Sequence, residues 1–495
     1  MASTAHTLRF MLDGEPVCMQ EPVPTTTVLD YLRDTGRRGT KEGCAEGDCG
    51  ACTVVLGELD SAANRITYRA VNSCIRFLPT LDGKELITVE SLQQPSGELH
   101  PVQQSMVDNH ASQCGFCTPG FVMSLFALYL NRTQAQRQTI VEALAGNLCR
   151  CTGYRPIIDA GKRQWGYPTP ARWSREQSQC AAHLSSLASL ARDSGSAQSL
   201  NYPGYRAPRS LDELSDALAA QPDSVLLAGG TDIGLWFTKQ LRELPSLVYL
   251  GDVPELSLID ARANELWIGA AVTLADAWPA LTRRFPGLEE QANRFASPPI
   301  RNSATLCGNL ANGSPIGDSI PAMLALGAEL ELRRGALVRR VPLGDFYLGY
   351  MKNALRQGEF VSAVAIPLPT DGDILASYKV SKRIDQDISA VCATFCIRVA
   401  GERVSSARLA FGGLAGIASR APQAERALID HGWNSTGIDA SIAALAADFQ
   451  PLSDLRASSA YRLRAAGNLL RRCFLESEHR PIAIRTHDAL QGAAT

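Results

Sequence analysis

The sequence predicts a multidomain α+β chain in which a strand-rich unit, a helical unit, an α/β unit and a smaller α+β unit follow one another. Three observations lead there. The chain has 495 residues, 45% apolar and 20% charged, which at roughly 150 residues per domain allows about three domains with cores of their own. Hydrophobic spacing changes along the chain, from alternation to helical periodicity and then to a regular exchange of the two. Nine of the 14 cysteines fall before residue 152, so the first third carries a chemistry that the remainder lacks.

Residues 7–90 read as β-rich with one helix. Strands over 6–12 and 15–19 flank Asp13 and Gly14, a turn pair that tolerates positive φ. Thr27 can cap a helix over 28–33 that Gly36 ends, and a strand resumes over 51–59. From about 95 to 165 helices take over. Pro101 opens one that runs to about 111; Thr118 and Pro119 offer a cap and a first-turn proline for FVMSLFALYL; Thr139 and Glu142 form a capping box before VEALAG. Residues 166–200 are rich in Ser, Ala and Gln with weak periodicity, and read as a linker with one loose helix. Beyond 201, Ser210 and Glu213 make a second capping box, VLLAGG and ELWIGA are short strands, and Thr273 caps a helix. This alternation stops near 369 at PLPTDGD, and the remainder to about 485 mixes strands (TFCIRV, SARLAFGG) with helices (IDASIAALAADF, SSAYRLRAAGNLLRRC).

Charge and hydropathy exclude whole classes of partner. The 48 basic and 50 acidic side chains leave a formal charge of −2, so no positive field draws the chain to nucleic acid or an anionic membrane. The longest strongly apolar run, 121–130, is about half of the ~20 residues that a membrane-spanning helix needs. The N-terminus alternates apolar and polar residues and lacks a basic head followed by an apolar core, so a cytoplasmic location is expected. In a reducing compartment clustered thiols are ligands or catalysts before they are cross-links.

Two thiol sets stand out. In the first, Cys44 and Cys49 are separated by four residues, Cys52 follows after two and Cys74 after a further 21. That is the spacing with which plant-type ferredoxins hold a [2Fe–2S] cluster. Gly43, Gly47 and Gly50 let the backbone turn tightly and bring N–H groups towards the sulfurs. A zinc site usually comes as two close pairs, and the gap between Cys44 and Cys49 is too wide for one; buried structural thiols are the bland alternative. The second set, Cys114 with Cys117 and Cys149 with Cys151, lies at two helix boundaries, the latter pair just beyond Gly146. On ligand type alone it suits zinc, a redox dithiol or iron–sulfur. The first set tips the balance, since two neighbouring one-electron centres make a wire.

Single electrons need an exchange point with two-electron chemistry, and flavin is the usual one. Two loops suit a cofactor of that kind. In VLLAGGTDIG (225–234), Gly229 and Gly230 free successive N–H groups to face a pyrophosphate, although a strand followed by two glycines is more often a plain turn. In TLCGNLANGSPIGDSIP (305–321), a Gly-, Asn- and Ser-rich stretch is interrupted by apolar residues, which suits a loop lining a pocket better than a surface loop.

The strings GCAEGDCGACTV, VNSCI, QCGFCTPG and GNLCRCTGY, in this order and at these distances, resemble the xanthine dehydrogenase and molybdenum hydroxylase family. The two loops and KVSKRIDQDIS (379–389) resemble its flavin-binding segments. The likeness covers nearly the whole chain except the linker and the last ten residues. It implies a ferredoxin-like β-grasp [2Fe–2S] domain over 1–92, a helical-bundle [2Fe–2S] domain over 93–165, a linker over 166–200, an FAD-binding domain of the PCMH type over 201–370, a C-terminal flavoprotein domain over 371–485 and a tail over 486–495. By the same resemblance Cys44, Cys49, Cys52 and Cys74 hold one cluster and Cys114, Cys117, Cys149 and Cys151 the other. FAD is then held by Leu226, Leu227, Ala228, Gly229, Gly230, Thr231, Asp232 and Ile233, with Phe295 beside the isoalloxazine. Thr305, Gly308, Asn309, Asp318, Val361 and Lys379 complete its contacts. Asp318 could accept from a ribose hydroxyl and Lys379 could stabilise negative charge on the ring, where each would otherwise be an ordinary surface charge.

The resemblance implies an electron-transfer chain with no catalytic residue of its own. A partner carrying molybdopterin would oxidise xanthine or hypoxanthine, with NAD as the final co-substrate and two copies of each chain in an α2β2 assembly. Gln113 falls where the family contacts the molybdopterin of the partner, and a helix-end polar residue is the alternative reading. Gln386 stands where animal relatives have an acidic residue. An aldehyde or an N-heterocycle as substrate, or a stand-alone electron carrier, are the rival readings. The other six cysteines, Cys18, Cys180, Cys307, Cys392, Cys396 and Cys473, read as small hydrophobes.

Overall fold

The computed structural model describes residues 6–60, 63–190, 199–370 and 372–478. The first unit is a five-stranded sheet in the order Glu15–Gln20, Thr7–Leu12, Glu85–Ile87, Thr53–Asp60, Arg65–Asn72. Thr7–Leu12 and Glu85–Ile87 run parallel and the other neighbours antiparallel. The turn at Asp13 (φ 56°) and Gly14 (φ 86°) closes the first hairpin as its sequence predicts. The Thr27 hydroxyl accepts from the Asp30 N–H at 3.1 Å, starting the helix Val28–Asp34 that packs on the sheet. This is the expected β-grasp arrangement.

Four helices form the second unit: Pro101–Asp108, Thr118–Asn131, Arg137–Leu144 and Arg155–Arg163. Thr118–Asn131 is apolar all round and buried from Gly120 to Leu130, so the others pack around it. Its start differs from the sequence expectation. Thr118 is already helical, Cys117 occupies the cap position, and the Thr118 hydroxyl is bonded to Ser112 at 2.7 Å. The proposed capping box at Thr139 also fails, because that helix begins two residues earlier and leaves Thr139 inside it. An unforeseen cap opens Pro101–Asp108: the wholly buried His100 accepts the Val102 N–H on Nδ1 at 3.3 Å.

The segment read as a linker is a docked strap over much of its length. Trp173 is buried and donates to the Ser91 carbonyl at 3.1 Å, Gln179 bonds both backbone groups of Ile66, and Leu187 is fully enclosed. Weak periodicity hid this, since the anchors are single residues reaching distant strands.

The third unit holds two sheets. One is ordered Leu200–Tyr202, Tyr205–Ala207, Leu247–Tyr249, Val225–Leu227, and the other, antiparallel, is ordered Ile259–Ala261, Glu265–Gly269, Phe360–Pro367, Glu329–Arg334, Leu337–Pro342. In the fourth, the antiparallel strands Asp373–Val380, Val391–Ala400, Arg403–Gly412 and Ser419–Arg420 carry the helices Pro422–His431, Ser435–Asp448 and Ser459–Ser477. The tail expected over 486–495 lies outside the described residues. Among the described residues no helix is long and apolar enough to cross a membrane.

Candidate functional site: two thiol sets and a two-lobed cavity

The first thiol set sits in a loop with three left-handed residues, Ala45, Gly47 and Gly50. Gly47 (φ 79°) and Gly50 (φ 70°) take the left-handed conformation, and a Cβ on Gly43 would lie 2.7 Å from the Cys49 sulfur. Backbone N–H groups of Asp48 and Cys49 point at the Cys44 sulfur at 3.4 and 3.3 Å, and the Asn72 amide approaches Cys52 at 3.8 Å. Hydrogen bonds from Cys49 and Cys74 hold Cys44 far below the ordinary thiol range, while Cys49 and Cys74, as donors, are pushed up. Cys52, also bonded by Cys74, is lowered. The sulfurs therefore form a chain of contacts, Cys49 to Cys44 to Cys74 to Cys52. Among the described residues no three His, Cys, Asp or Glu side chains gather around one metal-ion position. Four neighbouring thiols, with backbone N–H groups turned on Cys44, are a donor set that suits a two-iron cluster. Cys52 and Cys74 are each 2% exposed.

The second set is built at helix ends and faces outward. Cys117 is paired with Cys149, and Cys114 with Cys151. Burial, then the bond to Cys149, pushes Cys117 up to about 12. Burial would raise Cys149 too, but the hydroxyl and N–H of Thr152, at 3.2 and 3.5 Å, outweigh it and lower the thiol. Cys114 and Cys151 are exposed, as are Gln113, Phe116, Arg150 and Tyr154 around them. Thr152 escaped the sequence reading, although a hydroxyl one residue beyond a Cys-x-Cys pair is the signal that could have found it.

A direct bridge joins the two sets. The Cys49 carbonyl accepts the N–H of Leu148, the residue before Cys149, at 3.0 Å. Beside it the buried Asn147 donates to the Gly50 carbonyl at 3.0 Å and to the Thr53 hydroxyl at 3.2 Å, and is itself held by Ser124 at 2.6 Å. The backbones touch without intervening side chains: a Cβ on Gly50 would lie 2.0 Å from the Gly146 carbonyl, and one on Gly120 would lie 2.1 Å from that of Gly50.

On its other side the first set meets the third unit. Ile75, next to Cys74, fills the space at Gly234, whose Cβ would lie 2.5 Å from the Ile75 carbonyl. Thr238 donates to the Ala45 carbonyl at 2.9 Å, and from the fourth unit Gln386 (φ 49°) donates to that of Asp48 at 2.8 Å. Behind these contacts lies a cavity of about 350 Å³ that continues past Asp232, Asn309 and Asn312 into a second lobe of about 280 Å³. The first lobe is lined by Leu226, Ala228 to Ile233, Thr305, Gly308, Asn309 and Val361; the second by Phe295, Asp318 and Lys379 together with Gly47 and Asp48. Leu227 is the exception, since it points into the core. Trp236 and Tyr347 line the first lobe unforeseen.

Two expectations change here. The stretch 305–321 holds a helix, Leu306–Asn312, and the start of another, Ser319–Leu326, because the Thr305 hydroxyl caps the first by accepting the Gly308 N–H at 3.1 Å. Asp318 and Lys379 are not independent charges at the cavity wall. They form an ion pair of 2.7 Å, each side chain 3% exposed, and Ser389 donates to the second carboxylate oxygen at 2.6 Å. Asp318 is thus already committed to protein partners, and Lys379 reaches the cavity with its charge balanced.

Four family models match in chain order. They are "2Fe-2S iron-sulfur cluster binding domain" over 10–77, "[2Fe-2S] binding domain" over 88–162, "FAD binding domain in molybdopterin dehydrogenase" over 198–369 and "CO dehydrogenase flavoprotein C-terminal domain" over 376–477. The chain belongs to the molybdenum hydroxylase family. As such it carries two [2Fe–2S]-binding domains and an FAD-binding domain, and the thiols, their N–H donors and the two-lobed cavity fit those groups. Xanthine dehydrogenase of Emericella nidulans is 32% identical over 90% of this chain and 36% of its own length; xanthine dehydrogenase 2 of Arabidopsis thaliana is 32% identical over 82% and 35%. The chain thus spans about a third of the length of these curated relatives. Among solved structures, reconstituted CO dehydrogenase from Oligotropha carboxidovorans matches with a TM-score of 0.52 at 29% identity, over 55% of this chain and 96% of that one. Quinoline 2-oxidoreductase from Pseudomonas putida 86 matches at 0.51 and 29%, over 56% and 96%.

Proposed function

We propose that this chain is the iron–sulfur and flavin small subunit of a split cytoplasmic xanthine dehydrogenase. In this reading a molybdenum-cofactor large subunit oxidises xanthine or hypoxanthine, and electrons leave to NAD, within an α2β2 assembly. One observation carries it: the exposed thiol set, the buried set and the cavity are in serial contact, through Leu148 and Cys49 on one side and Ile75 and Asp48 on the other. Cys114, Cys117, Cys149 and Cys151 would hold the outer cluster and Cys44, Cys49, Cys52 and Cys74 the inner one. The cavity residues from Leu226 to Ile233, with Leu227 as backbone only, and Phe295, Thr305, Gly308, Asn309, Val361 and Lys379 would hold FAD. Bound there, these groups supply one-electron carriers and a junction to two-electron chemistry.

The chain's own residues set the conditions. N–H groups of Asp48, Cys49 and Thr152 offset negative charge on the ligating sulfurs. The Gly229–Gly230 turn leaves backbone donors uncovered for a diphosphate. The exposed ring of Gln113, Phe116, Arg150 and Tyr154 leaves the outer set open to a partner.

The matches to CO dehydrogenase and quinoline 2-oxidoreductase favour a second reading, the equivalent subunit of an enzyme for another small molecule. Co-expression with the molybdenum chain and assay with xanthine, an aldehyde and quinoline separates the two. Xanthine-dependent NAD reduction is expected, lost in Cys149→Ser while NADH still bleaches the flavin. Turnover of quinoline or aldehyde alone would transfer the case to the second reading. Xanthine turnover at the wild-type rate in the variant would sink the relay itself.

A further inference from the structure

A second cavity, of about 260 Å³, lies between the β-grasp unit and the FAD-binding unit and belongs to neither thiol set. It backs onto the cofactor cavity: Ala228, Gly229 and Thr305 line both. The wall is a single layer of backbone pressed closed, since a Cβ on Gly229 would lie 1.7 Å from the Ser303 carbonyl. From the β-grasp side three cations enter it, Arg69, Arg76 and Lys84, against two carboxylates, Glu58 and Asp276.

Those carboxylates are already engaged. Asp276 takes Arg69 in a two-pronged pair at 2.8 and 3.0 Å, and Glu58 takes Lys84 at 2.7 Å, which also donates to the Tyr249 hydroxyl at 3.2 Å. Arg76 is left over. It is 8% exposed, its Nε has no hydrogen-bond partner, and no ion pair to it forms among the described residues. A guanidinium keeps its proton at any physiological pH, so it cannot escape burial by neutralising as a lysine can. Glu58 answers Lys84 directly and Arg76 at longer range while Asp252 also faces Lys84, and what remains unfilled is the hydrogen-bonding capacity of the buried Arg76 fork.

We propose that this cavity is an anion site in which Arg76 binds a small oxyanion of the phosphate class, held between the two domains. The planar fork of Arg76 suits two oxygens of such an ion, and the lining groups of Tyr249, Asn302 and Ser303 surround the same space. The occupant ties β-grasp to flavin domain from behind the Gly229 turn, and the site stands whatever substrate the enzyme uses.

The test is calorimetric titration of the flavin-loaded full-length protein with inorganic phosphate, in parallel with Arg76→Gln, Arg76→Lys and flavin-stripped protein. One saturable site per chain is expected, weakened about 10- to 100-fold in Arg76→Gln and less in Arg76→Lys, with flavin content unchanged. A crystal of the loaded protein grown with phosphate should show the ion on Arg76. Equal affinity in wild type and Arg76→Gln, or phosphate bound only after flavin is stripped, would overturn the proposal. In the latter case the ion occupies the diphosphate cradle across the wall. A cavity holding water alone at saturating phosphate overturns it too. Should Arg76→Gln fold poorly, the comparison of wild type with Arg76→Lys and the crystal decide.

Discussion

The two thiol sets make an instructive pair, because the same residue type in similar numbers is placed under opposite conditions. Cys52 and Cys74 are closed off between sheet, helix and a second domain, whereas Cys114 and Cys151 stand at the surface. Positive-φ glycines shape both loops, Gly47 and Gly50 in the inner one and Gly115 and Gly153 in the outer; the difference is that the inner loop is held from both sides, whereas the outer set sits at helix ends open to solvent. A relay needs this asymmetry. Its inner member must reach a buried cofactor, and its outer member must meet another molecule.

The comparison breaks most readily at the ligands. Cys52→Ser is expected to lose the inner cluster and several kcal/mol of stability with it, since a buried loop would lose what organises it. Cys151→Ser should lose the outer cluster and leave the melting temperature nearly unchanged. Visible absorption and thermal denaturation of both variants check this, and equal melting losses would mean that burial does not separate the two sets.

A pH effect sharpens the contrast from the helical side. Burial lowers the His100 imidazole to about 4, against a bond to the Trp173 carbonyl that raises it in part. Its folded pKa lies below the ordinary value of about 6.5, so its contribution to stability is complete above that pH. The contribution drains away as pH falls towards about 4, as the unfolded chain takes up the proton first, a loss of about 3 kcal/mol. His100→Asn keeps a cap without the titration. Denaturant melts between pH 7 and 4 should show a shallower acid slope in the variant; parallel slopes would remove His100 from the account.

The smallest expected effect concerns the bridge. Asn147→Ala removes one of three donors to the Gly50 carbonyl, which keeps the Thr53 hydroxyl and N–H, and leaves the buried Ser124 hydroxyl without its acceptor, so it should cost about 1–2 kcal/mol. Stopped-flow reduction of the flavin from the outer side should slow while direct reduction by NADH does not. A variant that melts early but relays at the wild-type rate would make Asn147 a fastener only.

What could be read from the sequence follows the range of the interaction. The Asp13-Gly14 turn and the caps at Thr27 and Ser210 are local, and the structure agrees with each. The caps at Thr118 and Thr139 missed by one and three residues, and the larger failures involve partners far along the chain. Trp173 is anchored 82 residues away at Ser91, so a segment of weak periodicity became a strap. Asp318 and Lys379, 61 residues apart, read as two separate flavin contacts, and the fold makes them one ion pair. Thr305 was a local signal overlooked, because the glycines and asparagines after it suggested a loop more strongly than one hydroxyl suggested a helix.

Gly50 and Gly120 bear on something other than flexibility. Where they meet, main chain rests on main chain, the nearest approach that two segments of a protein can make. Electron tunnelling falls off steeply with separation, and a spacing fixed by backbone does not lengthen when neighbouring side chains change size. The pair works as a gauge block: sequence can drift on either side of it while the span that an electron must cross stays the same.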